Sequence, residues 1–295
     1  MTQKQHMKLY RIPAILIVML IGVAGCKSYP LHDRQDSGIS FFVPEEDNSV
    51  SYEPDGKDSI EQEEMPAEKK QINDSLVRIR NGSVGATGLI FKVTEHEIII
   101  VTNKHVLQEG DRIEAGPDSD RMLEALYLGV STEYDVGFCS ISLLENMTHV
   151  SETGKEISPE MKEFLTQVSE NKAIYEVQLC KDEEEWKQET YLGLNVLHAG
   201  MDIREDTGIQ VYEGYVSGYE FVPELYEKLL ITTGYSEGGM SGGGVFSMDG
   251  KLLGLLTGGE ISEGQESKET YITYSIPTGD LNKAYEEVFG ILNNS

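Results

Sequence analysis

Basic residues are scarce in this chain: 24 Lys and Arg stand against 51 Asp and Glu, a formal net charge of −27. Without a basic face, sequence-independent binding to nucleic acid or to anionic lipid through such a face is excluded, and the surplus charge serves solubility first and a basic partner second. Cysteine is nearly absent, at three residues. Cys139 and Cys180 have no neighbouring Cys or His at a ligand spacing such as C-x₂-C, so no metal site and no cofactor is expected. In an exported protein these two cysteines could instead pair, or Cys139 could be a small buried residue of its strand. The one tryptophan, Trp186, lies in the acidic stretch "CKDEEEWKQET" and is expected on the surface. Long apolar runs are missing except for one near the N-terminus, "IPAILIVMLIGVAGC", which falls short of the about 20 residues that span a bilayer comfortably.

That run follows Lys4, Lys8 and Arg11 and ends in Val23, Ala24, Gly25 and Cys26. A basic segment followed by a short apolar one reads as a secretory signal, and Met7 as the start would tighten it. Its end resembles the lipobox of bacterial lipoproteins, which implies cleavage after residue 25, lipid on Cys26 and a bacterial protein anchored to a membrane, facing away from the cytoplasm. A signal anchor with an incidental cysteine is the other reading. Residues 26–74 are polar and acidic, with "PEEDNSV" and "DSIEQEEMPAEKK". They carry too few apolar groups to offset the entropy of ordering and read as a flexible tether. Ile39 to Val43 is an apolar patch within it, with no partner legible in the sequence.

From residue 75 to 295 the pattern changes to short β-branched runs separated by turn residues, such as "SLVRIRNG", "EIIIVTNKHV", "VGFCSISL", "IQVYEGYVSGYE" and "KLLGLLTGG". Their length and spacing predict an all-β fold in two halves. Two stretches read as helices: "SPEMKEFLTQVSEN", with Ser158 as its cap, and the C-terminal "TGDLNKAYEEVFGIL".

Polar residues interrupt apolar strands at three places. "IIIVTNKHVL" delivers His105 at the end of a wholly apolar strand, "STEYDVGFCSI" opens a strand with Asp135, and "GYSEGGMSGGGVF" sets Ser241 among six glycines. A serine hydroxyl becomes a nucleophile when an imidazole takes its proton and a carboxylate holds that imidazole's tautomer. These residues supply the three parts in the order His, Asp, Ser. The glycines then have a use: a turn in which the N–H groups of Gly239 and Ser241 together hold an oxyanion. His6, His32, His96, His149 and His198 have no comparable setting and are assigned no role.

"TGLIFKVTEHEIIIVTNKHVL", "YDVGFCSI", "GGMSGGGVFSMDGKLLGLLTGGE" and "YITYSIPTGDLNKAYEEV" resemble the His, Asp, Ser and C-terminal segments of trypsin-like serine proteases, most of all the bacterial HtrA/Deg and glutamyl-endopeptidase branches. The resemblance covers about residues 76 to 290. It implies a chymotrypsin-like double β-barrel with a C-terminal helix and a helical insertion. His105 would be the general base, Asp135 its orienting acid, Ser241 the nucleophile, and Gly239 with Ser241 the oxyanion donors. Thr257, Gly258 and Gly259 would line the substrate site, with Tyr235 at the floor of the primary pocket. A tyrosine carries no charge there at neutral pH, which argues against a preference for Arg or Lys.

The chain departs from the family at three points. Met240 stands where other members have an aspartate or asparagine, so activation by insertion of a new N-terminus is not expected. Gly244 replaces a Pro or Ala and would loosen the turn. About thirty additional residues lie between Asp135 and Ser241, read as a solvated insertion, with an exosite or a lid as the alternatives; no PDZ-like segment follows the last helix. The expected function is that of a membrane-tethered serine endopeptidase acting on a protein or peptide through an acyl-enzyme. The alternative is a catalytically idle relative that binds a partner through its cleft.

Overall fold

The structure is a computed structural model, and it describes residues 40–41, 67–108, 112–143, 157–180, 192–201, 208–223, 225–263 and 269–290. The chain divides into two units, Met1–Gln35 and Asp36–Ser295. The first, with the expected signal segment and Cys26, lies outside the described residues, as does Trp186. All that follows concerns the second.

Seven strands form the first half: β2 (Leu76–Asn81), β3 (Val84–Val93), β4 (Glu97–Thr102), β5 (Ile113–Gly116), β6 (Leu123–Glu124), β7 (Leu126–Val130) and β8 (Gly137–Ser142). They pair in the order β6-β5-β2-β3-β4-β8-β7. The run from β6 through β7 pairs with β5 at its beginning and with β8 beyond it, which closes the ring. Ile98, Ile99, Ile100 and Val101 are all buried. Strand β4 therefore reads as a continuous apolar run rather than an alternation, because it lies between barrel interior on one face and the second half on the other.

The second half contains β9 (Asn195–Met201), β10 (Ile209–Val222), β11 (Glu227–Gly234), β12 (Gly244–Ser247), β13 (Leu252–Glu263) and β14 (Glu269–Pro277). Every pairing is antiparallel, and β14 bonds to both β11 and β13, so this sheet also closes. The two-residue β1 (Ser40–Phe41) is added to the outer edge of β13. One apolar cluster joins the halves: Leu89, Val101 and Phe138 from the first meet Leu197, Phe246, Leu252 and Ile276 from the second. Helix α5 (Thr278–Val288) seals it, with the ring of Tyr285 5.1 Å from Phe91 and 5.7 Å from Phe138. The all-β double barrel with a C-terminal helix and a helical insertion is thus the observed architecture.

Two features differ from the expectations, and a third settles an open choice. Helix α1 (Ala67–Ser75) occupies the end of the stretch expected to be a tether; Ile72 is buried and the Ser75 hydroxyl donates to its carbonyl. Helix α3 (Pro159–Glu170), after the short α2 (Lys104–Gln108), begins at the predicted cap, where Ser158 Oγ accepts from Met161 N. Its Met161, Phe164, Leu165 and Val168 are buried in the core of the first barrel. This part of the insertion is structural rather than solvated, since a four-residue apolar face at helical spacing is stabilised by the barrel it covers. The short α4 (Lys172–Tyr175) follows, and Val177 N and Cys180 N then donate to Ile90 O and Leu252 O, stitching the insertion to both barrels. Cys139 and Cys180 remain thiols rather than a disulfide; burial pushes the Cys139 thiol up to about 12, so it stays protonated and inert.

Candidate active site

His105 lies in the first turn of α2, directly after β4 ends at Thr102. Asp135 lies in the turn just before β8. Because β4 and β8 are neighbours in register, with Thr102 opposite Gly137, the two turns emerge side by side. The Asp135 carboxylate receives three bonds: from the His105 ring Nδ1 to Oδ2 (2.7 Å), from the His105 backbone N–H to Oδ1 (3.0 Å) and from the Thr257 hydroxyl to Oδ2 (2.6 Å). A carboxylate only accepts, so Nδ1 carries the ring proton and Nε2 is the basic nitrogen.

The backbone of Asp135 is held as firmly. Its carbonyl accepts from Asn103 Nδ2 and its N–H donates to Glu227 Oε1. The preceding turn is pinned by Glu287 of α5, whose carboxylate accepts from Ser131 Oγ (2.6 Å) and Thr132 Oγ1 (2.7 Å), while Lys104 Nζ donates to Ser131 O. Sequence reading missed Thr257's bond to Asp135, and it missed Glu227 and Glu287, because each joins strands or helices far apart in the chain.

Ser241 lies in the loop between β11 and β12, and its hydroxyl is buried with no hydrogen-bond partner among the described residues. The loop is built on the first barrel. Ser241 O accepts from Thr87 N, Gly239 O accepts from Thr87 Oγ1, and Thr87 O accepts from Thr102 Oγ1 at the strand end that leads to His105. The structure therefore joins His105 to Asp135 and sets the Ser241 loop against the end of β4, without a hydrogen bond from Ser241 Oγ to the imidazole. Within the loop, Met240, Gly242 and Gly243 spend their N–H groups on Glu237, Leu256 and Met240 carbonyls. Those of Gly239 and Ser241 have no acceptor among the described residues.

Gly242 has φ +79°, and a Cβ there would lie 2.1 Å from both Thr102 Oγ1 and Thr87 O. Gly242→Ala is accordingly expected to cost about 3 kcal/mol or more, from left-handed strain plus collision with backbone. Urea denaturation would check it, with a shift under about 1 kcal/mol counting against this account.

Two of the family departures have structural causes. Met240 is buried in the core of the second barrel, where it packs on Gly200, so its thioether replaces a polar group by filling apolar space. Gly244 does not loosen a turn: it is a strand residue, bonded across to Ala199 and Leu255, with no room for a Cβ between Phe246 and Leu252. Tyr235 packs at a steep ring angle between Tyr212 and Tyr271, with ring centroids 4.6 and 5.0 Å away. Its carbonyl accepts from Nδ1 of His198, which burial holds down at about 4 and hence neutral. Gly258 and Gly259 follow Thr257 in β13.

A cavity of about 240 Å³ opens beside the pair, lined by Lys104, His105, Gln108, Asp135, Leu225, Glu227 and Thr257. Burial, with the Asp135 charge adding to it, raises the Glu227 carboxyl to about 7. A carboxyl with a raised folded pKa binds its proton more tightly in the fold, so its contribution is fully present below about 4.5 and is lost as pH rises through about 7. His198 acts in the opposite sense, its lowered folded pKa removing stability as pH falls from 6.5 towards about 4. Urea midpoints at pH 5 and pH 8 are expected to show Glu227→Gln gaining on wild type at pH 8. An equal difference at both values would contradict the assignment. Among the described residues, no cluster of three or more His, Cys, Asp and Glu is placed to hold a metal ion.

The chain is similar in fold to Rv3671c of M. tuberculosis H37Rv in an inactive serine-to-alanine form, at 14% identity and TM-score 0.51 over 78% of this chain and 93% of that one. It is also similar to the serine endoprotease of Yersinia pestis, at 20% identity and TM-score 0.49 over 76% and 68%. No curated protein matches. The model of the trypsin-like peptidase domain matches residues 86–255, more than half of the chain. With its chymotrypsin-like double β-barrel, this chain belongs to the trypsin-like peptidase family.

Proposed function

We propose that the protein is a serine endopeptidase that acts outside the cytoplasm of a bacterium while tethered to the membrane by lipid on Cys26. The observation that carries the catalytic part is the Asp135 carboxylate with its three donors, which holds His105 in the tautomer a general base requires. In this reading Nε2 of His105 takes the Ser241 proton as Oγ attacks the substrate carbonyl. The oxyanion is held by Gly239 and Ser241 N–H, the amine leaves with the proton from His105, and water activated by the same imidazole hydrolyses the acyl-enzyme. The lipid anchor and the location rest on the sequence from Lys4 to Cys26, and kinship to the HtrA/Deg or glutamyl-endopeptidase branch rests on the motifs around the three residues. With Tyr235 between two other tyrosines, the pocket would take an uncharged side chain.

One observation favours the second reading, an idle relative that binds a partner: Ser241 Oγ makes no hydrogen bond within the described residues. Hydrogen bonds of this kind often tighten only once substrate is bound. A fluorophosphonate probe separates the two. Labelling at Ser241 in the wild type, with at least a hundredfold slower labelling in His105→Ala, is expected; a folded protein that stays unlabelled would count against a formed site and in favour of the idle binder.

A further inference from the structure

The edge of β13 that reaches the site is already occupied. β12 pairs with β13 only as far as Gly244 opposite Leu255, and Leu256 is then bonded to the Ser241 loop through Gly242 N and Gly243 O. From Thr257 onward that edge is clear of β12, while β14 holds the other edge, with Gly258 opposite Tyr274 and Gly259 opposite Thr273. On the clear edge lies β1, antiparallel, with Ser40 opposite Gly259 and Phe41 opposite Gly258. The residue preceding Gly258 is Thr257, whose hydroxyl donates to Asp135. A strand on these two glycines therefore runs beside the Asp135–His105 pair. Two successive glycines put no side chains in the way of an approaching backbone, and an open strand edge takes an extended peptide by main-chain hydrogen bonds.

Ser40 and Phe41 come from the apolar patch Ile39–Val43, the one such patch in an otherwise acidic stretch. Residues 42–66 separate β1 from α1, enough chain to reach up to about 80 Å at about 3.3 Å per residue, so binding in cis is not limited by reach. A segment so joined has an effective concentration on the order of millimolar at its own site, and even a weak strand then competes with substrate.

We propose that Ser40 and Phe41 are a resident competitor, which occupies as a strand the edge where a substrate peptide lies and holds the protease partly shut until it is displaced. This rests on the protease reading above, and the test is arranged so that the two fail separately. Hydrogen exchange on the full-length Ser241→Ala chain, in detergent, reads the strand without any need for activity. In Ser40→Pro/Phe41→Pro, which removes both N–H groups from β1, exchange of the amides in fragments spanning 257–263 is expected to quicken about tenfold. A synthetic peptide of residues 36–47 added in excess should restore the protection. On the active chain, with dye-labelled casein as substrate, the double proline variant should show KM lowered about fivefold or more with kcat unchanged, and the same peptide should inhibit it competitively.

Unchanged exchange in the double variant would overturn the proposal. So would faster exchange with kinetics identical to wild type, and so would intact-mass measurement showing wild-type chain cut within residues 39–46, which would make the segment a substrate. If no form hydrolyses casein or takes the fluorophosphonate, the protease reading fails and with it the inhibitory role, whereas the exchange data still decide whether β1 docks.

Discussion

Ser241→Ala is expected to lower kcat/KM by about five orders of magnitude or more while leaving the fold as it is. The size follows from the proposed chemistry: without Oγ the acyl-enzyme cannot form on residue 241, and what remains is the rate that binding and oxyanion stabilisation alone support. The intact fold follows from the structure. The loop is held by backbone, through Thr87 N to Ser241 O and Gly242 N to Leu256 O, and none of this involves the serine side chain. The hydroxyl that alanine removes is buried without a partner among the described residues, so its loss is neutral or slightly stabilising. Urea midpoints within about 0.5 kcal/mol of wild type, together with initial rates on casein, would check both halves. Turnover above about a hundredth of wild type would remove Ser241 from the role of nucleophile.

Asp135→Asn is expected to reduce kcat by about four orders of magnitude at neutral pH and, unlike Ser241→Ala, to weaken the fold by about 1–3 kcal/mol. Three donors converge on the two carboxylate oxygens: the His105 ring, the His105 backbone and the Thr257 hydroxyl. An amide has one oxygen, so its NH₂ must face at least one of those donors. If it faces the ring, Nδ1 becomes the acceptor, the proton moves to Nε2, and the imidazole can no longer take a proton from serine. If it faces the His105 backbone N–H, a buried donor is left unpaired and the turn into α2 is disturbed. Rates and urea midpoints for this variant, set beside those of Ser241→Ala, separate the two sites. A loss of activity with no loss of stability would mean that Asp135 does not organise the turn as described.

What could be read from the chain and what could not divide along sequence distance. His105, Asp135 and Ser241 were each visible locally, because a polar residue interrupting apolar strands, or a serine among glycines, is a pattern of a few residues. Helix α3 was visible for the same reason, through its Ser158 cap; its apolar face of Met161, Phe164, Leu165 and Val168 came with the structure. Its burial was not legible, since the same apolar face would serve a lid or an exosite. Thr257 read as a substrate-wall residue, and its bond to an aspartate 122 residues away depends on the strand register of the second barrel and on how the two barrels meet. Met240 read as a lost polar group, and its place in the core of the second barrel depends on its contact with Gly200 in β9.

By itself, then, the sequence determined the class of fold and the family and put forward His105, Asp135 and Ser241 as the triad candidates, because short β-branched runs, turn glycines and short polar motifs are properties of neighbouring residues. Tertiary structure alone decided which side chains complete the site around Asp135, what fills the space near Ser241, and where Ser40 and Phe41 pair. Those outcomes depend on pairing register and barrel closure. A shift of one residue in a strand would turn Thr257 away from Asp135, and no local pattern records that choice.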